Sequence, residues 1–299
     1  MQKIAIVGPG AVGGTVAAWL AQNPQYEVTV CVRTTFDQLR VETPDGEIAA
    51  TPVLLTDPVA ASPVDWVLVC TKAYDAAGAL AWLKGLVGPR TRIAVLQNGV
   101  EHVERFAPHL SGAAIVPAVV DIPAERAAPG RIRQRRMGTI LVPAGSDGDA
   151  FVDLFGQTPI AVSTTDDFKT AAWRKLALNC AGAVNALTLK PSGVAHREPI
   201  AQIMKALVAE CVGVGRAEGA ILPDDLGRSV VEGYRSGPAD SVNSLHADRA
   251  AGRPMELDAR NGVIVRLGAK HGVPTPMNTM IVALIEAAAA PGDGRPRTS

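Results

Sequence analysis

The feature that most constrains the fold is a glycine-rich turn near the start of the chain, Gly8-Pro9-Gly10-Ala11-Val12-Gly13. An apolar run over residues 3–7 enters this turn directly, and a helical pattern with Val16 and Leu20 on the same face as Val12 leaves it. Such a turn lets a pyrophosphate approach the backbone at the N-terminus of the helix. We therefore expect a dinucleotide-binding domain, with an ordinary glycine turn in a parallel sheet as the alternative.

The first half of the chain alternates short β-rich runs with helical runs. The β-rich runs cover residues 3–7, 27–32, 66–70, 92–96, 113–119 and 160–163. Strands separated by helices of this length imply a doubly wound parallel sheet with right-handed crossovers. Residues 132–142 instead predict a β-hairpin or meander, and Arg131, Arg133 and Arg135 most simply form its solvated face, with an anion site as the alternative.

From Asp166 the pattern changes to helices without clear strands. Helical spacing of apolar residues covers 168–187, 199–218, 224–233 and 255–271, and Lys270, His271, Gly272 and Pro274 are typical of the end of the last helix. The fold class expected is therefore α/β, with an N-terminal Rossmann-type domain over 1–165. An all-helical domain that carries substrate and catalytic residues should follow over 166–290, and a disordered tail over 291–299.

Composition excludes several classes of protein. The 29 basic residues balance the 29 acidic ones, so we expect neither a nucleic-acid binder nor an anionic-membrane binder. No apolar run reaches the ~20 residues that span a bilayer, and no signal peptide is recognised. The four cysteines and five histidines are scattered, so we expect no disulfide, no metal site and a cytoplasmic location. An alanine-rich face with Ala283, Ala287 and Ala288 could pack on a second copy as a homodimer.

The end of the second strand predicts which dinucleotide binds. Sites for NAD usually carry an Asp or Glu about twenty residues after the glycine turn, where it bonds the ribose hydroxyls. Here Arg33 occupies that place, and an arginine would hold a ribose phosphate by charge-assisted hydrogen bonds. This favours NADP(H), with NAD(H) and a merely stacked or solvated Arg33 as the alternative.

Polar residues follow two further predicted strands, in Thr71-Lys72 and in Gln97-Asn98-Gly99. The carboxyl edge of an open parallel sheet faces its ligand, so Lys72 and Asn98 are candidates to contact cofactor or substrate. The simpler alternatives are a solvated loop lysine and a turn-forming asparagine.

In the helical half, Lys175 and Asn179 are four residues apart and therefore share one face of a largely apolar helix. A lysine on such a helix is costly unless it lines a site or has a partner, although most helical lysines are solvated. Glu256 opens a predicted helix, where the dipole favours a carboxylate in any case, and Ser244 fits a simple helix cap.

These motifs, taken in order along nearly the whole chain, resemble those of ketopantoate reductases. The resemblance rests on the glycine turn, Lys72, Gln97-Asn98-Gly99, Trp173-Arg174-Lys175-Leu176 with Asn179, Ser244, Glu256-Leu257-Asp258-Ala259-Arg260-Asn261-Gly262 and His271-Gly272-Val273-Pro274-Thr275-Pro276. It implies an NADPH-binding Rossmann domain joined to a helical domain. It also implies reduction of the 2-oxo acid 2-dehydropantoate (ketopantoate) to pantoate in pantothenate biosynthesis.

The resemblance also implies roles for single residues. Lys175 would be the general acid, and Glu256 would close over cofactor and substrate. The remaining implied contacts are Lys72 with the cofactor, Asn98 with nicotinamide and substrate, and Asn179 and Ser244 with the substrate.

One position departs from the family pattern. The family commonly carries a second amide four residues after the first, where this chain has Ala183, and Asn185 points elsewhere on a regular helix because each residue turns it by ~100°. The substrate therefore stays open between 2-dehydropantoate and another 2-oxo acid or carbonyl compound. A non-catalytic NADP-binding sensor is a third interpretation, although a sensor needs no acid such as Lys175.

Overall fold

The computed structural model describes residues 1–110 and 112–289, in two compact units that meet in sequence between Phe168 and Lys169. The strands are β1 (Gln2–Val7), β2 (Tyr26–Cys31), β3 (Leu39–Thr43), β4 (Gly46–Ala50), β5 (Val53–Leu55), β6 (Trp66–Val69), β7 (Arg92–Val95), β8 (Ala114–Pro117), β9 (Val119–Asp121), β10 (Ala124–Ala128), β11 (Arg131–Gln134), β12 (Thr139–Pro143) and β13 (Ala161–Thr165). The helices of the first unit are α1 (Ala11–Leu20), α2 (Ala76–Leu86), α3 (His102–Phe106) and α4 (Ser146–Leu154).

The first unit is built on a six-stranded parallel sheet in the order β5-β2-β1-β6-β7-β8. Alternate residues of β1 point to opposite faces: Ile4 and Ile6 lie in one buried cluster with α1, and Ala5 and Val7 lie in another with Leu83 of α2. Helices therefore cover both faces, and the doubly wound sheet expected from the sequence is confirmed. The chain reverses direction along the sheet at β1, which makes the adjacent carboxyl ends the place where such sheets bind ligands.

Two smaller sheets complete the first unit, in the orders β10-β11-β3-β4 and β13-β12-β9. The hairpin or meander predicted over 132–142 is wrong, because β11 pairs with β10 and β3 whereas β12 pairs with β9 and β13. The reason is packing on α1: Ile132 fills the space above Gly14, and the Trp19 indole donates to Gln134 at 3.0 Å. The arginines of this region are exposed, as expected, and Arg133 and Arg135 pair with carboxylates of neighbouring strands.

The strand predictions agree closely elsewhere, with one exception. Residues 3–7, 27–32, 66–70, 92–96 and 160–163 correspond to observed strands to within two residues at either end. The run over 113–119 divides into β8 and β9, which belong to different sheets.

The described part of the second unit is helical throughout, as expected. Its helices are α5 (Phe168–Ala181), α6 (Ala183–Thr188), α7 (Glu198–Ala217), α8 (Leu226–Ser236), α9 (Ser244–Ala250), α10 (Val263–His271) and α11 (Pro276–Ala289). The single helix predicted over 168–187 is interrupted at Gly182. The helix predicted from 255 is helical only from Leu257, runs through a π-helical turn over Asp258–Gly262 and continues as α10. It stops at Gly272, whose φ of 67° is the left-handed cap that the sequence predicted.

A buried polar network holds the helices of the second unit together. Asn278 is fully buried, and its amide donates to Glu210 at 2.7 Å. Asn261 donates to Asn278 at 2.9 Å and to the Cys180 carbonyl at 3.1 Å. The Glu210 carboxylate also accepts from the first free N–H groups of α11, at 2.7 and 2.8 Å. Because buried amides are stable only when bonded, this network fixes the relative positions of α5, α7, α11 and the π-helical turn.

Several further expectations concern the surface and the thiols. The four cysteines, Cys31, Cys70, Cys180 and Cys211, are free, and burial raises the pKa of Cys31 and of Cys70 to about 12. Within 1–110 and 112–289, no helix is long and apolar enough to cross a bilayer. The alanines proposed for a homodimer are exposed on α11, and the dimer stays a prediction. The tail predicted over 291–299 lies outside the described residues.

Candidate active site

The glycine turn joins β1 to α1 with the geometry that its sequence requires. Gly8 has a φ of +88°, and a Cβ built on it would lie 2.7 Å from Thr71 in the loop after β6. A Cβ on Gly13 would lie 2.4 Å from the Gly8 carbonyl oxygen and 2.7 Å from the Cys70 Cβ. The two glycines therefore let the turn, α1 and the loop after β6 approach closely, as predicted.

Gly10 leaves open space at the N-terminus of α1. A Cβ built on Gly10 would meet nothing within 4 Å, so the glycine is not required by packing. It is also the N-cap of α1, and it has no side chain that could bond the first free N–H groups of that helix. These donors and the positive end of the helix dipole fit a pyrophosphate. The turn from Gly8 through Pro9, Ala11 and Val12 to Gly13 thus has the shape and chemistry of a dinucleotide site.

Arg33 lies just beyond the carboxyl end of β2, the strand next to β1. Its side chain is 87% exposed and forms an ion pair with Asp75 at 3.3 Å. A guanidinium in this position can turn to a ribose phosphate with little desolvation, although it must exchange the carboxylate of Asp75 for the phosphate. Its role in NADP(H) selection stays a prediction.

Gln97 ties the loops after β6 and β7 together, a role that the sequence did not predict although it placed Gln97 in a motif. Its buried amide donates to the Thr71 hydroxyl at 2.9 Å and accepts from Arg105 at 2.8 Å. The imidazole of His102 donates to the Gln97 carbonyl at 2.9 Å. Burial lowers the pKa of His102 to about 4, so the ring is neutral when it makes this bond.

Lys72 and Asn98 are both half-buried and lie in the loops that Gln97 joins. The strands before them, β6 and β7, are adjacent and parallel, so the structure brings these loops to one edge, as expected. Lys72 immediately precedes a short 3-10 turn, Ala73–Asp75, and Asn98 precedes Gly99, whose φ is +109°. The glycine turn, Lys72 and Asn98 therefore form one continuous group in the first unit.

In the second unit, Lys175 and Asn179 lie one turn apart on α5 and are both half-buried. Around them, Leu176 and Cys180 are buried while Leu178 is exposed. The helix therefore packs one side into the core and leaves the edge with Lys175 and Asn179 accessible. This arrangement suits residues that contact a small molecule, and their roles stay predictions.

Ser244 is exposed and is the first residue of α9. The helix-capping role that the sequence offered as the alternative for Ser244 belongs instead to Asn243. The Asn243 side chain accepts from the His246 N–H at 3.0 Å, which is the capping bond. The Ser244 hydroxyl instead accepts from Arg260 at 3.4 Å. Ser244 is thus available for another role.

Arg260 was part of a motif in the sequence, but sequence reasoning assigned it no role. It lies in the π-helical turn, is 2% exposed, and donates to the Asn179 carbonyl at 2.7 Å as well as to Ser244. Glu256 is 5% exposed, precedes the helical turn at Leu257 and interacts electrostatically with Arg260. The structure therefore links Asn179, Ser244 and Glu256 through one guanidinium. A buried arginine cannot be recognised from a helical pattern that contains other, solvated arginines.

Asn185 does not replace the amide that is absent at position 183. It is 1% exposed, and its amide donates to the Lys190 carbonyl at 2.9 Å, which stabilises the turn where Leu189 has a φ of +52°. Ala183 is fully buried. Neither residue offers a polar group to a ligand.

Comparisons with known proteins agree for both units. The family model for ketopantoate reductase PanE/ApbA matches residues 4–147, and the model for its C-terminal part matches residues 167–289. A 2-dehydropantoate 2-reductase of Caulobacter vibrioides is 64% identical over 97% of this chain and 100% of its own length. One from Mycobacterium tuberculosis is 42% identical over 97% of this chain and 99% of its own length.

A solved structure shows the same architecture. The crystal structure of a PanE/ApbA family ketopantoate reductase from Ralstonia eutropha superimposes with a TM-score of 0.89 at 33% identity, over 96% of this chain and 98% of that one. The matches extend over both units and include the glycine turn and the Lys175 helix. The chain belongs to the ketopantoate reductase family.

Proposed function

We propose that this protein reduces 2-dehydropantoate to pantoate with NADPH, in the cytoplasm. The observation that carries the proposal is the match of both units to the family models, supported by 64% identity to a 2-dehydropantoate 2-reductase along nearly its full length. The four free cysteines are consistent with a reducing compartment. NADPH is the cofactor of the family, and the exposed Arg33 beside the sheet edge supports the phosphorylated dinucleotide.

The residues of the first unit would bind the cofactor. The free N–H groups at the start of α1 and the open space at Gly10 suit the pyrophosphate, and Arg33 suits the ribose phosphate. Lys72 and Asn98 would position the nicotinamide end, with Asn98 also in contact with the substrate. Bound there, NADPH supplies a hydride to the carbonyl carbon of the 2-oxo acid.

The residues of the second unit would hold the substrate and supply the proton. As the carbonyl carbon gains hydride, its oxygen becomes negative, and the ammonium of Lys175 stabilises that charge and transfers one proton to the oxygen. The product is then a hydroxyl, and Lys175 regains its proton from water. Asn179 and Ser244 would bind the hydroxyl and carboxylate groups, and the buried Glu256 would close over cofactor and substrate and balance the charge of Lys175.

The proton donor can be tested with a matched pair of lysine variants. Lys175→Ala should lower kcat by ~100- to 10,000-fold, the usual contribution of a general acid, and leave NADPH binding nearly unchanged. Lys190→Ala removes an exposed lysine of the same unit and should retain full activity. Retained turnover in Lys175→Ala would remove this lysine from the proton-donor role.

The substrate can be tested by following NADPH oxidation with 2-dehydropantoate and with a panel of other 2-oxo acids. Rapid turnover of 2-dehydropantoate alone is the expected result. A preference for another acid would support the second candidate, a reductase of the same family with a different substrate, which the buried Ala183 favours. NADPH binding without turnover of any acid would indicate a sensor instead of an enzyme.

A further inference from the structure

Arg260 is a buried cation in the middle of the predicted substrate contacts. Its guanidinium donates to the Asn179 carbonyl at 2.7 Å and to the Ser244 hydroxyl at 3.4 Å. A third nitrogen, Nε, is buried and has no hydrogen-bond partner among the described residues. Burying a guanidinium is costly unless its charge is used, so this position demands an explanation beyond packing.

The groups around Arg260 define what it can do. Burial lowers the pKa of Arg260, whereas the carboxylates of Glu256 and Asp248 favour its charged form. Because a guanidinium keeps its proton in proteins, Arg260 is a cation at physiological pH. It is too deeply buried to meet solvent directly, and it can act on a ligand through the groups to which it donates.

The Ser244 hydroxyl connects the buried guanidinium to the protein surface. A hydroxyl can accept and donate at the same time, and Ser244 accepts from the Arg260 side. Its own O–H is therefore free to donate away from the core, and Ser244 is exposed. A hydroxyl polarised by a cation is a stronger donor to an anion than an isolated one.

Arg260 also fills the polar space beside the position where the second amide is absent. A Cβ built on Gly182 would lie 3.3 Å from the Arg260 Nη2 and 2.6 Å from the Tyr234 hydroxyl. Ala183 follows directly and is fully buried, and the Asn185 amide is bonded to the Lys190 carbonyl. The guanidinium therefore shares this polar space with the Tyr234 hydroxyl and with the Asn243 amide nitrogen, which would lie 2.8 Å from the same Cβ.

We propose that Arg260 is a positioning residue that makes this enzyme select anionic substrates: it orients the Ser244 hydroxyl and the end of α5 at Asn179, and its charge attracts the substrate carboxylate to Ser244. The proposal deepens the proposed function and rests on it. It concerns the recognition of the carboxylate and leaves hydride transfer to the residues already named.

The test compares an acid with its neutral ester. We use 2-dehydropantoate and its internal ester, the lactone, with NADPH as reductant. Arg260→Met removes the charge and keeps the length of the side chain, and it should raise KM for the acid by roughly 10- to 100-fold, as expected for loss of a charge-assisted bond. KM for the lactone should change by less than about threefold, since the lactone lacks the carboxylate that the Arg260 charge would attract.

Three further variants separate positioning from structural effects. Arg260→Lys keeps the charge but cannot bond both partners, so its KM for the acid should lie between those of the wild type and Arg260→Met. Ser244→Ala leaves the core in place and should raise KM for the acid alone, which keeps the proposal testable if Arg260→Met does not fold. Arg228→Met removes an exposed cation from α8 and should change neither constant.

Each outcome of these measurements either supports or overturns the role proposed for Arg260. Equal losses on acid and lactone, or none on either, would overturn the proposal, and NADPH affinity measured by fluorescence reports whether each variant retains its cofactor site. If the wild type reduces a different 2-oxo acid, the same comparison is made with that acid and its methyl ester. A wild type that reduces no acid refutes the proposed function itself, which is a separate result.

Discussion

Arg33 offers the sharpest test of cofactor selection, because its surroundings allow the size of the effect to be worked out. The side chain is 87% exposed and pairs with Asp75, whose side chain is 28% exposed, at 3.3 Å. NADPH differs from NADH only by the ribose phosphate. Replacing Arg33 by Ala should therefore weaken NADPH binding and leave NADH binding almost unchanged.

The magnitude follows from two opposing contributions. A charge-assisted hydrogen bond contributes about 1.5–2 kcal/mol at the lower end of its range, which suits so exposed a side chain. Binding the phosphate first costs the ion pair with Asp75, and a surface pair is worth at most about 0.5 kcal/mol here. The net loss of about 1–1.5 kcal/mol corresponds to a roughly 5- to 12-fold increase in the Kd for NADPH.

The assay is titration of each variant with NADPH and with NADH, followed by nicotinamide fluorescence. Arg40→Ala is the matched control, since it removes an exposed arginine that pairs with Glu47 at 3.0 Å in a different sheet of the same unit. Asp75→Asn should tighten NADPH binding by a few-fold, because it releases Arg33 and removes a repelling carboxylate. Equal weakening of NADPH and NADH by Arg33→Ala would refute the assignment.

Three other changes in the first unit test its cofactor site, its packing and its dependence on pH. Gly10→Ala should leave thermal stability unchanged, since the added Cβ meets no protein atom within 4 Å. It should nevertheless weaken NADPH binding at least ~10-fold, because the methyl group occupies the space for the phosphate. Gly13→Ala should also destabilise the fold by ~1–3 kcal/mol, because its Cβ would overlap neighbouring atoms. Unchanged NADPH affinity in Gly10→Ala would contradict the first expectation, and an unshifted melting temperature in Gly13→Ala the second. Burial lowers the pKa of His102 to about 4 from 6.5, so as the pH falls the unfolded chain takes up the proton before the folded protein does. The stability present above pH 6.5 is therefore lost towards pH 4, and the unfolding constant rises by up to roughly tenfold per pH unit. His102→Gln should flatten this dependence in urea unfolding at pH 7 and pH 5, and parallel profiles for both proteins would contradict it.

The sequence predicted the parallel sheet because its signals are local. The strands over 3–7, 66–70 and 92–96 are short apolar runs bounded by turn residues, and the glycine turn fixes the order of strand, turn and helix. The hairpin over 132–142 failed because strand pairing depends on distant partners. The alternating Ile132 and Gln134 pack on α1. Four of the six strands of the parallel sheet separate β11 in sequence from β3, with which it pairs.

The candidate site likewise contains some residues that the sequence predicted and others that it did not. Lys175, Asn179 and Ser244 could be proposed because motifs and resemblance mark them. Arg260 belongs to one of these motifs, but the sequence assigned it no role, since its importance arises from burial and from contacts with residues 81 and 16 positions away. The break at Gly182 was also hidden, because the apolar spacing continues through it and the polar groups of Tyr234 and Asn243 that crowd the glycine come from other helices.

The π-helical turn over Asp258–Gly262 has a consequence for how this enzyme can vary over evolution. Because the turn accommodates one residue more than an α-helical turn, it buries four consecutive residues, from Ala259 to Gly262. Removing one of them would restore an ordinary α-helical turn and leave α10, from Val263 onward, in nearly the same orientation relative to Glu256. The same loss inside α10 would instead rotate the rest of that helix by ~100°. Over evolution, the π-helical turn is therefore the place in this segment where the loss of a single codon would leave the following helix aligned.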